Sequence, residues 1–210
     1  RFTIVETIPY DRPQTSMKVF PMCKKCEEEY NDPANRRFHA QPNACAECGP
    51  HIRWFDPKNP EKIPIDPLSE AISALIDDYV VAIRGLGGFH LAVNGCSDRA
   101  VSILRQRKQR PTKPLAIMVR DLATAHLFCH ISKSEEEKLL SPEHPIVLLS
   151  KKNTSALASN LSPGVADIGL MLPYTPLHHL LFAQSACPDA LVMTSGNISG
   201  QPICTSNEAA

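Results

Sequence analysis

The sequence predicts an α/β fold in which a small cysteine-rich module precedes a domain built on a twisted, mixed sheet. Three observations support this prediction. Four of the eight cysteines fall within residues 23–48, four prolines crowd residues 56–67, and predicted strands and helices alternate after that. We therefore expect a module with an N-terminal linker over residues 1–55, a proline-rich linker over 56–67 and an α/β domain over 68–210.

The composition excludes several classes of protein. Of the 210 residues, 43% are hydrophobic and 21% are charged, which is typical of a folded globular chain. No apolar run approaches the roughly 20 residues that span a bilayer, so no membrane span is expected. The 22 basic and 22 acidic residues balance, which disfavours a broad basic surface for nucleic acid. The chain begins at Arg1 without a signal-peptide pattern, and we expect it to be a piece of a longer protein.

The cysteine-rich module contains two CxxC pairs, which are separated by 18 residues. The four cysteines are Cys23, Cys26, Cys45 and Cys48. Each pair places two thiolates on one tight turn, and this spacing is typical of a structural, tetrahedral zinc site. Two disulfides are the alternative, which the missing signal peptide disfavours. His39 and His51 lie near the pairs in sequence, so replacement of one thiolate by a histidine stays open.

The α/β domain is predicted to begin with a helix, because Asp66 is a favourable N-cap, Pro67 suits the first helical position and apolar residues follow at helical spacing. Apolar runs predict the strands and capping residues predict the other helices. In chain order these elements are a strand over Val80–Arg84, a strand over Leu91–Val93, a helix opened by Ser97 and Asp98, a strand over Leu115–Val119, a helix from about Asp121, a helix capped by Ser132 with Glu135, strands over Pro145–Leu149 and Ile168–Leu172, a helix from Thr175 through Ala183, and a strand over Ala190–Met193.

Two clusters of residues are candidates for binding an anion. The turn Gly85–Gly88 follows a predicted strand, and ligands of α/β sheets bind beyond the carboxyl ends of strands. Residues 105–113 contain five cations in nine positions. Interaction with the carboxyl end of a helix explains the cations of the last turn but not Lys113, which lies beyond Pro111. A polyphosphate would bind such arginines through paired hydrogen bonds and the lysines as point charges.

The third candidate cluster, Thr194–Gly200, follows an apolar strand and carries hydroxyl and amide groups that suit a phosphate or a nucleobase. The same residue types also form ordinary turns. His90, His178 and His179 lie in apolar stretches, where we expect core histidines with satisfied hydrogen bonds. Taken alone, the residues predict a zinc module and an α/β domain with an anion site.

These residues together resemble a known family. Lys108-Gln-Arg110 with Lys113, followed by Ser195-Gly-Asn197, is similar to the KxR…SxN signature of YrdC-type domains, which bind ATP and form acyl-adenylates from a carbamate. Residues 37–50, around the second CxxC pair, resemble the second zinc finger of the HypF family of carbamoyltransferases. Residues 85–90 and 171–179 also resemble HypF proteins more than free-standing YrdC proteins.

The resemblance implies a fold, a reaction and partners. It implies a zinc-finger module followed by a YrdC-like α/β domain that is truncated at its C-terminal end. HypF proteins use carbamoyl phosphate and ATP to form carbamoyl-AMP, and they carbamoylate the C-terminal Cys of HypE for the cyanide ligand of [NiFe]-hydrogenases. The implied cofactors are structural Zn²⁺, ATP and Mg²⁺, the implied location is cytoplasmic, and neither a membrane nor a nucleic acid is an expected partner.

The resemblance also implies site residues. Lys108 and Arg110 would be catalytic. ATP and substrate would be bound by Lys113, Ser195, Asn197, Gly87, Gly88, His90 and Thr194. Two alternatives stay open, of which the first is a threonylcarbamoyl-AMP synthase of tRNA modification, disfavoured by the finger and the Gly-Phe-His loop. The second is a zinc-dependent module that binds nucleic acid or acts as a scaffold.

Overall fold

The computed structural model describes residues 3–198 and 200–208, and the chain divides into two compact units, Arg1–Phe55 and Asp56–Ala210. The first unit contains two short 3₁₀ helices, over Arg12–Gln14 and Ser16–Val19, and one α-helix, α1, over Lys24–Asn31. Helix α1 begins directly after Cys23, so the first CxxC pair lies at its N-terminus. This helix was not predicted, because its residues show no apolar periodicity.

Polar bonds, rather than apolar packing, hold the first unit together. Among its described residues, Met17 and Cys26 are the buried hydrophobic ones. The buried guanidinium of Arg12 donates from Nη1 to the carbonyls of Gln41 and Asn43 and from Nη2 to that of Phe20, each at 2.7 Å. The Asn43 side chain then donates to the carbonyl of Cys26 at 2.9 Å. Arg12 therefore connects the N-terminal segment to the loop that carries the second CxxC pair.

The second unit is the α/β domain that the sequence predicts. Its elements are α2 (Pro67–Ile76), β1 (Val81–Arg84), β2 (Phe89–Asn94), α3 (Asp98–Lys108), β3 (Ile117–Val119), α4 (Leu122–Phe128), β4 (Cys129–His130), α5 (Lys133–Leu139), β5 (Val147–Lys151), β6 (Asp167–Met171), α6 (Pro176–Ala183) and β7 (Ala190–Ser195). Each of the five helices begins at a residue whose side chain accepts a backbone N–H, as predicted. These N-caps are Asp66, Ser97, Asp121, Ser132 and Thr175.

The seven strands form one mixed sheet in the order β1-β2-β7-β3-β6-β5-β4. Strands β3 and β6 are parallel, whereas the pairs β1–β2, β2–β7, β3–β7, β5–β6 and β4–β5 are antiparallel. The two-residue edge strand β4 was not predicted. Strand β7 extends to Ser195, so Thr194 and Ser195 belong to the strand rather than to the turn after it.

Helices cover both faces of this sheet. Side chains of α3, α4 and α5 pack on one face, in a continuous apolar core that includes Val93 of β2. Because successive strand residues point to opposite faces, the neighbouring Ala92 faces the other side, where α2 packs against β1, β2 and α6. In the part of the chain that the structure describes, no helix is long and apolar enough to cross a membrane.

Candidate functional site

The first unit brings the four predicted zinc ligands together. Their Sγ atoms lie within 4.8 Å of one another, and the Cys23–Cys45 and Cys45–Cys48 sulfur pairs are both 3.7 Å apart. Four sulfurs about 2.3 Å from a tetrahedral zinc ion are about 3.8 Å from each other. The spacing and the donor set therefore fit zinc, and the eight cysteines are free thiols rather than disulfides.

Neither nearby histidine joins this cluster. The His39 ring packs against the rings of Tyr30 and Phe38, with centroid distances of 5.0 and 4.4 Å. The Nε2 of His51 lies 3.3 Å from the carbonyl oxygen of Glu47. Within residues 3–198 and 200–208, the only cluster with metal-ligand geometry consists of the four cysteines. The structure thus decides between the two ligand sets that the sequence leaves open.

The thiols differ strongly in acidity because they are crowded together. Burial, together with the neighbouring thiols, raises the pKa of Cys26 to about 12. Hydrogen bonds with the backbone of Cys23 and Cys45 lower the pKa of Cys48 to about 6. A divalent cation would stabilise all four thiolates at once, as expected for a structural zinc site.

In the second unit, Lys108 lies at the end of α3 and contacts the end of β7. Its ammonium donates to the carbonyl of Ser195 at 2.5 Å, the carbonyl of Asn197 at 2.9 Å and Asn197 Oδ1 at 3.2 Å. Ser195 Oγ donates to the same Oδ1 at 2.6 Å. Only 3% of Lys108 is exposed, and burial, with the charge of Arg110, lowers its pKa. Residues 87 positions apart in sequence thus form one polar cluster.

The other two predicted cations differ in their surroundings. Arg110 is partly buried and donates from Nη2 to the carbonyl of Pro114 at 2.5 Å, and burial lowers its pKa. The Lys113 side chain is exposed and makes no hydrogen bond or ion pair to the described residues. Lys113 is therefore free to meet an anion.

Arg105, which the sequence groups with these cations, has a structural role instead. Its guanidinium donates to five backbone carbonyls. The acceptors are Arg110, Pro111, Lys113, Asn160 and Leu161. Arg105 thereby fixes the path of residues 110–113 beyond α3, and its own charge is not available to a ligand.

The glycine turn lies at the same end of the sheet, because β1 ends where antiparallel β2 begins and β7 ends beside β2. Gly88 has φ +141°, and a Cβ there would lie 2.7 Å from the carbonyl oxygen of Cys204, so only glycine fits. A Cβ at Gly87 would meet nothing within 4 Å. The turn is closed by a hydrogen bond from Gly85 N to Gly88 O at 2.8 Å.

The histidines correct the sequence-based expectation of satisfied core side chains. His178 is buried, but its Nδ1 has no hydrogen-bond partner among the described residues, and the same is true of Nδ1 of His90. His179 is exposed. Sequence reasoning selected His90 and passed over His178. The only sequence signal for His178 was its position in the first turn of a helix that Thr175 caps.

Comparison with known proteins adds the family. The family model described as "Telomere recombination", which covers Sua5, YciO and YrdC, matches residues 73–210. The chain belongs to this family. A second model, described as "HypF finger", matches residues 22–55. The family's own domain is thus preceded by a finger typical of HypF.

HypF proteins are similar to this chain over its whole length. The carbamoyltransferase HypF of Rhodobacter capsulatus is 46% identical over 210 residues, which are 100% of this chain and 28% of that protein. Full-length HypF in its phosphate- and nucleotide-bound form has a TM-score of 0.85 and 48% identity, covering 98% of this chain and 26% of that one. T. kodakarensis HypF has a TM-score of 0.89 and 46% identity, covering 99% and 27%. The resemblance to HypF is confirmed, and the chain spans about a quarter of these relatives.

Proposed function

We propose that this chain carries the carbamoyl-adenylation step of a HypF-type carbamoyltransferase. A carbamate oxygen attacks the α-phosphorus of ATP, the bond from that phosphorus to the bridging oxygen breaks, and pyrophosphate leaves as carbamoyl-AMP forms. The observation that carries this proposal is the contact of Lys108 with Ser195 and Asn197, in a chain that also contains a HypF finger. The nucleotide held by a HypF relative supports ATP as the second substrate.

The proposed roles follow from charge and exposure. Arg110 and the exposed Lys113 would contact the phosphates, and Lys108 would hold the Ser195–Asn197 turn in place and keep a positive charge beside it. Mg²⁺ would enter with ATP and offset further phosphate charge. No residue need act as a covalent nucleophile, so positioning and electrostatics supply the catalysis.

The polar and glycine residues would shape the site. Asn197 Nδ2 donates one N–H to the carbonyl of Gln201 and has a second for a phosphate or the carbamoyl group. Ser195 Oγ, whose proton goes to Asn197 Oδ1, could accept a hydrogen bond from the carbamoyl amino group. Backbone amides of Gly87 and Gly88 would approach the small substrate closely, because no side chain blocks them. Thr194 lies buried within β7 and would support the site from the strand. His90 is the remaining proposed contact.

The two ends of the chain would have separate tasks. We propose a zinc-finger module over residues 1–55, a linker over 56–67 and the YrdC-like ATP-binding domain over 68–210. Zinc, with four cysteine ligands and no open position, would be structural. In the longer protein, carbamoyl phosphate would supply the carbamate and HypE would receive the carbamoyl group. The reaction with both partners would take place in the cytoplasm.

Exchange of labelled pyrophosphate into ATP tests this proposal. Carbamoyl phosphate with a separate acylphosphatase supplies carbamate, and threonine with bicarbonate is the matched alternative. We expect exchange that needs carbamoyl phosphate and not threonine. Exchange that needs threonine would favour a threonylcarbamoyl-AMP synthase, and no exchange with either substrate would contradict the assignment of an adenylation step to this chain.

A further inference from the structure

Two histidines of the second unit, His178 and His90, each have a buried ring nitrogen without a hydrogen-bond partner among the described residues. His178, in the first turn of α6, is 2% exposed, and its ring packs edge-on against Tyr174 with centroids 4.7 Å apart. Its Nδ1 is buried and has no hydrogen-bond partner among the described residues. An unsatisfied buried polar group costs free energy and calls for an explanation.

His90 repeats this arrangement in β2. Its ring fills the space that a side chain at Gly85 would need, since a Cβ there would lie 2.9 Å from His90 Nδ1. That Nδ1 is also buried and unpartnered within the described part of the chain. His90 pairs across the sheet with Ser195, which belongs to the Lys108 cluster. The imidazole of His90 therefore lies next to the proposed adenylation site.

The burial pattern determines where the ring protons lie. A proton on either Nδ1 would be a buried donor without an acceptor, which is rarer and costlier than an unpaired lone pair. The proton therefore lies on Nε2 in both rings. Neither Nε2 is among the buried unpartnered atoms, and neither makes a hydrogen bond to residues 3–198 or 200–208. Both Nε2–H groups can therefore donate to a ligand.

Both rings are neutral under ordinary conditions. Burial lowers the pKa of His178 to about 4, and the neighbouring His90 and His179 lower it further by charge repulsion. Burial also lowers the pKa of His90. Alternation along β2 places His90 on the same face as Ala92, where α2 packs against both β2 and α6, the helix that carries His178. The two imidazoles therefore lie on one side of the sheet. They offer two hydrogen-bond donors without a net positive charge.

We propose that the Nε2–H groups of His90 and His178 form the carbamate subsite of the adenylation site, and this assignment rests on the proposed function. Neutral donors suit a small, singly charged carboxylate better than a polyphosphate, which the cations at residues 108–113 would hold. Neutral donors also suit the limited stability of carbamate. Protonation of carbamate on nitrogen breaks its C–N bond and releases ammonia and CO₂, and a neutral imidazole is a far weaker proton source than an imidazolium.

The test compares His178→Phe with His178→Gln. Phe keeps the ring and its packing on Tyr174 but removes the donor, and Gln restores an N–H near the position of Nε2. His179→Phe, which changes the exposed neighbour, is the matched control. We expect H178F to raise the carbamate concentration for half-maximal pyrophosphate exchange about 10-fold or more, as for the loss of one hydrogen bond to a charged acceptor. The half-maximal ATP concentration should stay within about twofold, and H178Q should recover part of the loss.

Three outcomes are informative. Unchanged carbamate dependence in H178F, or equal loss for ATP and carbamate, would overturn the subsite. The same comparison with His90→Phe and His90→Gln covers the case in which H178F does not fold. If the parent chain shows no exchange, the adenylation proposal fails. The subsite is then judged by the ¹⁵N shift of His178 Nε2 on adding ammonium bicarbonate, with sodium bicarbonate and ammonium chloride as controls, and no selective shift would overturn it.

Discussion

The two units of this chain are held together in different ways. The first contains Met17 and Cys26 as the buried hydrophobic residues among those described, whereas the second has a continuous core that runs through α3, α4, α5 and most of the sheet. Without an apolar core, the first unit has to gain its stability from metal–thiolate bonds and polar contacts. The second gains its stability from buried apolar area.

Both units nevertheless contain a buried arginine that binds several backbone carbonyls. Arg12 in the first unit donates to three backbone carbonyls, and Arg105 in the second donates to five. A guanidinium has five N–H donors and no acceptor, so it can satisfy several carbonyls of an irregular loop at once. In each unit a buried arginine binds the backbone carbonyls of a loop that has no regular secondary structure. One of these loops lies beside the cysteine cluster, and the other lies beside the candidate adenylation site.

The largest difference between the units should appear on metal removal. Structural zinc contributes about 10–16 kcal/mol of apparent binding free energy in small zinc domains. We expect Cys26→Ser, or chelation, to abolish amide protection from hydrogen exchange in residues 3–55 and to leave protection in β2, β7 and α3 unchanged. Cys96→Ser is the control, because Cys96 lies outside the cluster. Protection that survives chelation in the first unit would show that polar bonds alone hold it.

A core substitution should have the opposite effect. Leu104 is fully buried in α3, so Leu104→Ala should lower the free energy of unfolding of the second unit by about 2–5 kcal/mol through lost burial and a cavity. Zinc content should not change. Urea denaturation followed by metal analysis measures both, with the exposed Leu127→Ala as control. Loss of zinc from the Leu104 variant would break the distinction between the units.

Because a buried arginine binds several carbonyls in each unit, replacing it with lysine should cost a similar free energy in both. Arg105→Lys keeps the positive charge but loses the planar guanidinium and leaves buried carbonyls without donors. It should lower the free energy of unfolding by about 2–3 kcal/mol. Arg12→Lys should weaken zinc affinity about 30-fold, the equivalent of about 2 kcal/mol. Arg107→Lys, at an exposed position, should change neither. Urea denaturation and competitive zinc titration are the measurements, and a neutral Arg105→Lys would refute the structural role.

The smallest predicted effect is a pH dependence confined to the second unit. The pKa of His178 is about 4 in the folded chain against an ordinary value of 6.5, so the unfolded chain binds the proton more readily. Stability from this group is complete above pH 6.5 and is lost as the pH falls towards 4, about 2 kcal/mol by pH 5. Urea denaturation of His178→Phe should show less loss between pH 7 and 5 than the parent. Equal losses in both, with His179→Phe as control, would contradict the buried neutral state.

Local signals in the sequence predicted much of this molecule. The five N-caps start helices as expected, because a capping hydrogen bond involves residues only two or three positions apart. The CxxC pairs likewise identified the cysteine cluster. The resemblance to the KxR…SxN signature, rather than a local signal, grouped Lys108 with Ser195 and Asn197 before their geometry was known.

The features that the sequence did not predict depend on contacts between residues far apart in the chain. The strand β4 has two residues and exists only through its pairing with β5. Arg105 was grouped with anion-binding cations, because the carbonyls that it binds at Asn160 and Leu161 lie 55 and 56 positions away. The unsatisfied Nδ1 of His178 depends on what surrounds α6, and composition does not show this. Residues whose role depends on tertiary contacts therefore need the structure.

The central claim is that Lys108, with the turn after β7, forms an adenylation site. Carbamate-dependent exchange of pyrophosphate into ATP by Lys108→Met and by Arg107→Met tests it most directly, since the two cations are neighbours and only Lys108 is buried. We predict that Lys108→Met loses about 10²–10³-fold in exchange rate, the size of loss that removing one preorganised electrostatic group causes, because the turn loses three hydrogen bonds and its neighbouring positive charge. Arg107→Met should keep the parent rate, and both should retain zinc. Exchange at the parent rate in Lys108→Met would contradict the account.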